Sequence, residues 1–209
     1  MTQVLVSEVF TGIQLNPALS WWNPPAQWAP TPTGGLKLYP DARTDFWRTT
    51  HYGYDTDNGH CLFAEIAGDF VLTTGVQLHP QHRYDQAGLM IRLSADCWIK
   101  ASVEFEPGGP AMLGTVVTNH GYSDWSSQNL TADEIRLELR IRREGPDYFM
   151  EHRRSPYEPW TLMRLAHLFA DDGQSAVKCG LYACSPIEAG CDAQFDYIRI
   201  QAGRIPTTP

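Results

Sequence analysis

Short runs in which polar and apolar residues alternate, broken by Gly, Pro and Asp, fill the chain from Leu36 onward, and no other feature constrains the fold as much. A side chain returning to the same face every second residue is the period of a strand, and the 3.6-residue period of a helix is nearly absent. Candidate strands are Leu36 to Tyr39, Asp45 to Arg48, Cys61 to Ile66, Phe70 to Leu78, Ala87 to Leu93, Cys97 to Glu106 and Ala111 to Thr118. They continue as Ser123 to Gln128, Glu134 to Arg143, Tyr148 to Arg153, Thr161 to Ala170, Ala176 to Ala183 and Gln194 to Gln201. Turn chemistry falls between them at Pro107-Gly108-Gly109-Pro110, Glu144-Gly145-Pro146-Asp147 and Asp171-Asp172-Gly173. Strand after short strand with no internal repeat predicts an all-β fold, a sandwich or jelly roll of two antiparallel sheets.

Residues 36–209 are read as one β-sandwich domain. Residues 1–35, with Trp21-Trp22-Asn23-Pro24-Pro25 and Trp28-Ala29-Pro30-Thr31-Pro32, are read as a Pro/Trp-rich arm. Closely spaced prolines remove ladder donors, which argues against regular strands there. Exposed tryptophans would be costly, so the arm is expected to pack on the body. A net charge of −8 argues against nucleic acid or an anionic membrane as partner. No segment is long and apolar enough to span a bilayer, and Met1 to Val6 lacks the features of a signal peptide. Five cysteines with no C-x-x-C pair suit reduced thiols and a cytoplasmic setting.

Face by face, the Cys97 to Glu106 run divides sharply. Ile99, Ala101, Val103 and Phe105 form a core side; Trp98, Lys100, Ser102, Glu104 and Glu106 form the other. In a sandwich the second side is an outer one. An aromatic, a cation, a hydroxyl and carboxylates are the types that hold a hydroxylated ligand, since rings stack on sugar C–H faces and charged groups bond vicinal hydroxyls. Gln86 and Arg92 alternate along the preceding strand, and Arg140 lies on a later one between Glu134 and Arg142. If these strands share a sheet they line one groove. The bland alternative for the Arg-rich strand is a solvated salt-bridge face.

Two loops add candidates. Val117 to Ser126 brings His120, Asp124 and Trp125 to a sheet rim, and Thr49 to His60 brings His51 and Tyr52. His51, Asp55, Asp57 and His60 are metal-ligand types, against which stands an ordinary Asx-rich turn; no metal and no cofactor is expected. For catalysis, Glu104 is the candidate acid or base, with Lys100 or His120 assisting, and Glu106 sits two residues on along the same face. Nucleophile elbows, phosphate loops and helical metal motifs are missing.

Asp45-Phe46-Trp47, Thr50-His51-Tyr52-Gly53, Asp57-Asn58-Gly59-His60, Tyr84 to Met90, Trp98-Ile99-Lys100-x-Ser102-Val103-Glu104 and Val117-Thr118-Asn119…Ser123-Asp124-Trp125-Ser126 resemble, in order, the family of regulation-of-enolase-type proteins. The likeness runs from Trp21 to about Ile200. It implies a concanavalin A-like lectin/glucanase jelly roll with a concave binding face. Lectins, glycoside hydrolases and lyases share that fold, so the resemblance does not fix a chemistry. The paired-acid strand of the glucanases is replaced here by Trp98-x-Lys100-x-Ser102-x-Glu104.

Three readings remain open: a carbohydrate- or sugar-acid-binding domain, a glycoside- or sugar-modifying hydrolase or lyase, and an interaction module that regulates a metabolic enzyme. The expected partner is a carbohydrate or sugar-derived small molecule. A homodimer through an exposed sheet is open as well.

Overall fold

The computed structural model describes residues 3–130 and 136–204 and contains no helix among them. Two antiparallel sheets face each other as a jelly-roll sandwich. The nine-stranded sheet runs Thr161–His167, Asp147–Arg153, Arg136–Glu144, Phe70–His79, Asp192–Phe195, Leu36–Tyr39 and Gln27–Pro30, with Ile198–Ala202 and Val4–Glu8 joined beside Phe70–His79. The seven-stranded sheet runs Tyr122–Asn129, Met112–Asn119, Cys97–Glu104, Gln86–Ser94, Val177–Cys184, His60–Ile66 and Ser20–Trp22. A third, two-stranded ribbon pairs Phe46–Trp47 with Thr56–Asp57. No helix is long and apolar enough to cross a membrane among the described residues.

Alternation builds the main core as read: Ile99, Ala101 and Val103 meet Leu139, Ile141, Leu72 and Phe195 across the sandwich, all fully buried. The Pro/Trp-rich stretch departs from expectation. Ser20–Trp22 and Gln27–Pro30 are strands, paired to His60–Ile66 and Leu36–Tyr39. Both lie at sheet edges, where a missing N–H on the open side costs nothing. The predicted Gln194 to Gln201 strand is split, because Asp196 turns aside to donate its N–H to Gly75 O at 2.9 Å. Glu134 lies outside the described residues.

The ribbon and its flanking loops lie over the outer face of the seven-stranded sheet and create a second apolar layer. Phe46, fully buried, packs edge-on against Trp98 at 6.1 Å and Tyr182 at 6.2 Å. Met90, Val116, Cys61 and Cys184 complete this layer. A β-carbon at Gly59 would come within 2.3 Å of the Phe46 ring, so only glycine lets the loop close over it. The cap is pinned by Ser123 Oγ, which accepts from Arg48 N at 2.9 Å, and by Thr44, whose Oγ1 accepts from Ser185 N at 3.0 Å.

Candidate functional site

Register sets the floor of the site. Across the seven-stranded sheet one row of outward residues reads Gln86, Glu104, Met112, and the next Tyr182, Gly88, Ser102, Gly114. A third row reads Met90, Lys100, Val116, Trp125. The middle row holds nothing larger than a hydroxymethyl group between Tyr182 and the edge, which leaves depth between two rows of long side chains. The cap supplies the walls. The result is a cavity of about 220 Å³ lined by Asp45, Trp47, Tyr52, Tyr54 and Tyr84 above, and by Gln86, Lys100, Glu104, Val116 and Trp125 below.

Lys100 ties sheet to cap. Its ammonium donates to Asp45 Oδ1 at 3.1 Å, Phe46 O at 2.8 Å and Gln86 Oε1 at 2.8 Å. An ammonium has three N–H groups, and all three are used. The expectation that Lys100 assists Glu104 is therefore corrected: it anchors the cap. Gln86 is spent in the same way, accepting also from Tyr182 Oη at 3.1 Å and donating to Tyr84 O at 3.0 Å.

Glu104 differs from both. No donor among the described residues reaches its carboxyl group, and burial pushes its pKa up to about 7, with Lys100 opposing and Asp45 and Glu106 adding to the rise. A β-carbon at Gly114 would lie 2.9 Å from Glu104 Oε2 and 3.4 Å from Trp125 Nε1, so both groups converge on the space that glycine vacates. The Trp125 indole N–H is buried without a hydrogen-bond partner among the described residues. Burying an amide-like donor unpaired costs about 1–3 kcal/mol; the indoles of Trp21 and Trp22 are unpaired as well, but of the three only Trp125 lines the cavity. Tyr54 is pushed up to about 12, first by burial and then by Asp45, and burial raises Tyr84 as well. Both phenols therefore stay protonated and able to donate.

Other expected site residues fall elsewhere. Trp98 is 0% exposed beneath Phe46, its indole donating to Ala95 O at 3.1 Å, so it is core and no ligand platform. Arg92 is closed by a two-pronged bond to Asp57, at 2.7 and 2.6 Å, and stacks on Trp22. Ser102 is buried in the floor row. Asp124 cannot share a face with its neighbour Trp125 in a strand; it points away, 72% exposed, to Arg164 at 3.0 Å.

His120 sits in the turn at the far end of the Met112–Asn119 strand, stacked on Phe169. Eight residues beyond the Glu104 partner Met112, it lies roughly 20 Å or more from Glu104 at ~3.3 Å per residue and cannot assist it. Arg140 belongs to the other sheet altogether. Glu106 is engaged by Arg83 Nε at 2.9 Å. His51 has φ of 64° and packs its ring on Tyr52 at 4.9 Å, outside the lining. Asp57 and His60 have their own partners, Arg92 for the first, and Asn23 O and Asp41 N for the second. No metal-binding group of three acidic, His or Cys side chains occurs among the described residues.

Of the candidate ligand groups, Tyr52, Gln86, Lys100, Glu104 and Trp125 do come together. Asp45, Trp47, Tyr54 and Tyr84 were not singled out by face-sorting. Alternation of Asp45 and Trp47 against the buried Phe46 was the available signal.

Comparison with known proteins places this geometry. A solved structure described as a functionally unknown protein from Saccharomyces cerevisiae superposes with a TM-score of 0.80 at 33% identity, covering 90% of this chain and 97% of that one. Regulation of enolase protein 1 of Saccharomyces cerevisiae is 36% identical over 162 residues, 78% of this chain and 79% of its own length. A Bacteroides ovatus protein described as xyloglucan PUL GH43B shares the fold at TM-score 0.73 and 19% identity, over 93% of this chain but only 38% of that one. A family model described as protein of unknown function, DUF1349, matches residues 21–203, and the chain belongs to that family.

Proposed function

We propose that the capped cavity binds the ring of a neutral sugar, and that the protein is a carbohydrate-recognition domain. One observation carries the reading: a Glu104 carboxyl and a Trp125 indole N–H, neither with a hydrogen-bond partner among the described residues, face the same small space under aromatic walls. Indole and phenol N–H and O–H groups donate to sugar oxygens, and carboxyl groups accept from sugar hydroxyls. Ring faces of Trp47, Tyr52 and Tyr54 cover C–H surface. At about 220 Å³ the cavity is smaller than the ~300–1,000 Å³ of drug-sized pockets, which favours one ring over an oligosaccharide. The acids Asp45 and Glu104 in the lining, with Lys100 already neutralised, disfavour a sugar acid here. Likeness to a GH43 protein supports the fold alone. Five buried, unpaired thiols support a reducing compartment such as the cytoplasm.

A panel of neutral monosaccharides titrated by calorimetry tests the reading. Saturable binding, weakened about tenfold or more in Trp125→Phe by loss of a buried hydrogen bond, is the expected result. Heat that never saturates with any sugar would sink it.

A second reading has its own support. A carboxyl with its pKa near 7 is matched to general acid–base work at neutral pH, and Glu104 is such a group. On this reading Glu104 protonates the leaving glycosidic oxygen while a water, its proton taken by the Asp45 carboxylate, attacks the anomeric carbon. Turnover of an aryl glycoside that is abolished in Glu104→Gln while binding survives would favour it over recognition alone. The name of the yeast relative suggests a third reading, regulation of enolase by contact, which draws no support from a recessed cavity.

A further inference from the structure

The outer face of the nine-stranded sheet carries a separate concavity of about 440 Å³. Register builds its floor: Arg140 pairs with Thr73, Thr73 with Arg199, and Arg199 with Ser7, so one row crosses four strands. Three arginines line it, Arg140, Arg153 and Arg199, with Ser7, Thr73 and Gln201 between them, and no carboxylate lines it at all. For a chain with a net charge of −8 that is a local reversal of sign.

Two acids stand beside the groove on the same face, since Glu151 is paired in register with Arg140 and Glu138 with Arg153. Glu151 accepts from Arg140 Nε at 2.7 Å, and Glu138 accepts from Arg153 Nε and from Tyr197 Oη. Trp160 packs against both guanidinium groups, whose central carbons stand 4.3 and 4.5 Å from its ring. A guanidinium stacked on a ring keeps its N–H edge available and has little rotamer freedom left to lose on binding. The Nη groups of Arg140 and the side-chain N–H groups of Arg199 have no acceptor among the described residues.

We infer that this groove is a second ligand site, for a hydroxylated organic anion: a sugar carboxylate or a sugar phosphate. Guanidinium forks match either anion with paired N–H bonds. The hydroxyls of Ser7 and Thr73 and the amide of Gln201 suit hydroxyl groups on the same ligand. The capped cavity on the opposite sheet presents acids instead, so the two faces sort ligands by charge.

The test titrates the full chain with glucuronate, glucose 6-phosphate and glucose, each at low and at raised salt. Saturable binding of glucuronate, of the phosphate, or of both is expected at this groove, and which one binds identifies the head group. Arg199→Gln should weaken it about tenfold or more, because a charge-assisted bond is lost. Lys178→Gln, which removes an equal charge from the opposite sheet, should not. Three outcomes overturn the inference: no anion saturates, Arg199→Gln leaves the affinity unchanged, or Lys178→Gln weakens binding equally. Glucose binding at the capped cavity is read independently, so either site can fail alone.

Discussion

The two outward faces of this sandwich have opposite fates. On the seven-stranded sheet the outward residues Met90, Trp98, Val116 and Tyr182 are buried beneath a ribbon, and Lys100 and Arg92 are locked to it. On the nine-stranded sheet the outward residues are largely charged and pair with one another in ladders, from the open Arg136–Asp196 pair to the largely buried Arg140–Glu151 pair. The difference teaches that a polar, strand-borne pattern does not by itself mark a surface. What decides is whether another segment arrives to cover it, and a cover converts some polar groups to anchors while leaving a few without partners.

The sharpest way to break this contrast is to remove a buried anchor from the capped face. Trp98→Ala should lose about 3–5 kcal/mol by emptying a filled layer. Lys100→Met should lose a similar ~3–5 kcal/mol, since Asp45 would be left buried with no counter-charge. Urea unfolding measures both. On the open face, Arg136→Gln breaks a pair whose side chains are 51% and 32% exposed, and should cost under about 1 kcal/mol. Equal losses on the two faces would erase the distinction.

A titration sharpens it further. Glu104 has its pKa raised to about 7 in the folded protein, from an ordinary 4.5. Below pH 4.5 both folded and unfolded chains hold the proton and no penalty exists. As pH rises from 4.5 to about 7 the unfolded chain has released its proton while the native one keeps it, so stability falls. The full loss is about 3 kcal/mol. In Glu104→Gln this fall should vanish, and the variant should be the more stable protein at pH 8. A wild-type stability that stays flat or rises across that window would contradict the burial of an unpartnered carboxyl.

Gly114→Ala is the smallest of these effects on stability and the most selective. The added methyl displaces only the end of a flexible glutamate, so the cost should be about 1 kcal/mol or less. Sugar affinity should nevertheless drop about tenfold, because the methyl occupies the space where Glu104 and Trp125 converge. Calorimetry on the variant gives both numbers.

Strand existence and face were legible for most of the chain from Leu36 onward because the period of two survives locally, and the edges differ from expectation by up to three residues. Pairing order was not. The Gln86–Ser94 strand lies against Val177–Cys184, a neighbour set by tertiary packing that no local pattern encodes. The same gap put Arg140 in the wrong groove. The cap escaped notice because, past the short Asp45 to Arg48 run, the segment to Asp57 has no periodicity and turns through left-handed non-glycine residues at Thr49 and His51. One signal was available and unread: Met90, Trp98, Val116 and Tyr182 make the outward faces of four strands apolar as well as the inward ones, which is the mark of strands covered on both sides.

The central claim is that the buried Trp125 indole N–H and Glu104 await a sugar hydroxyl. Indole N–H resonances of the nitrogen-15-labelled protein, with Trp125 assigned through Trp125→Phe, report on it directly. Titration with a binding monosaccharide should move the Trp125 signal saturably while that of Trp98, already bonded to Ala95, stays in place. A Trp125 signal unmoved by every sugar in the panel would contradict the claim.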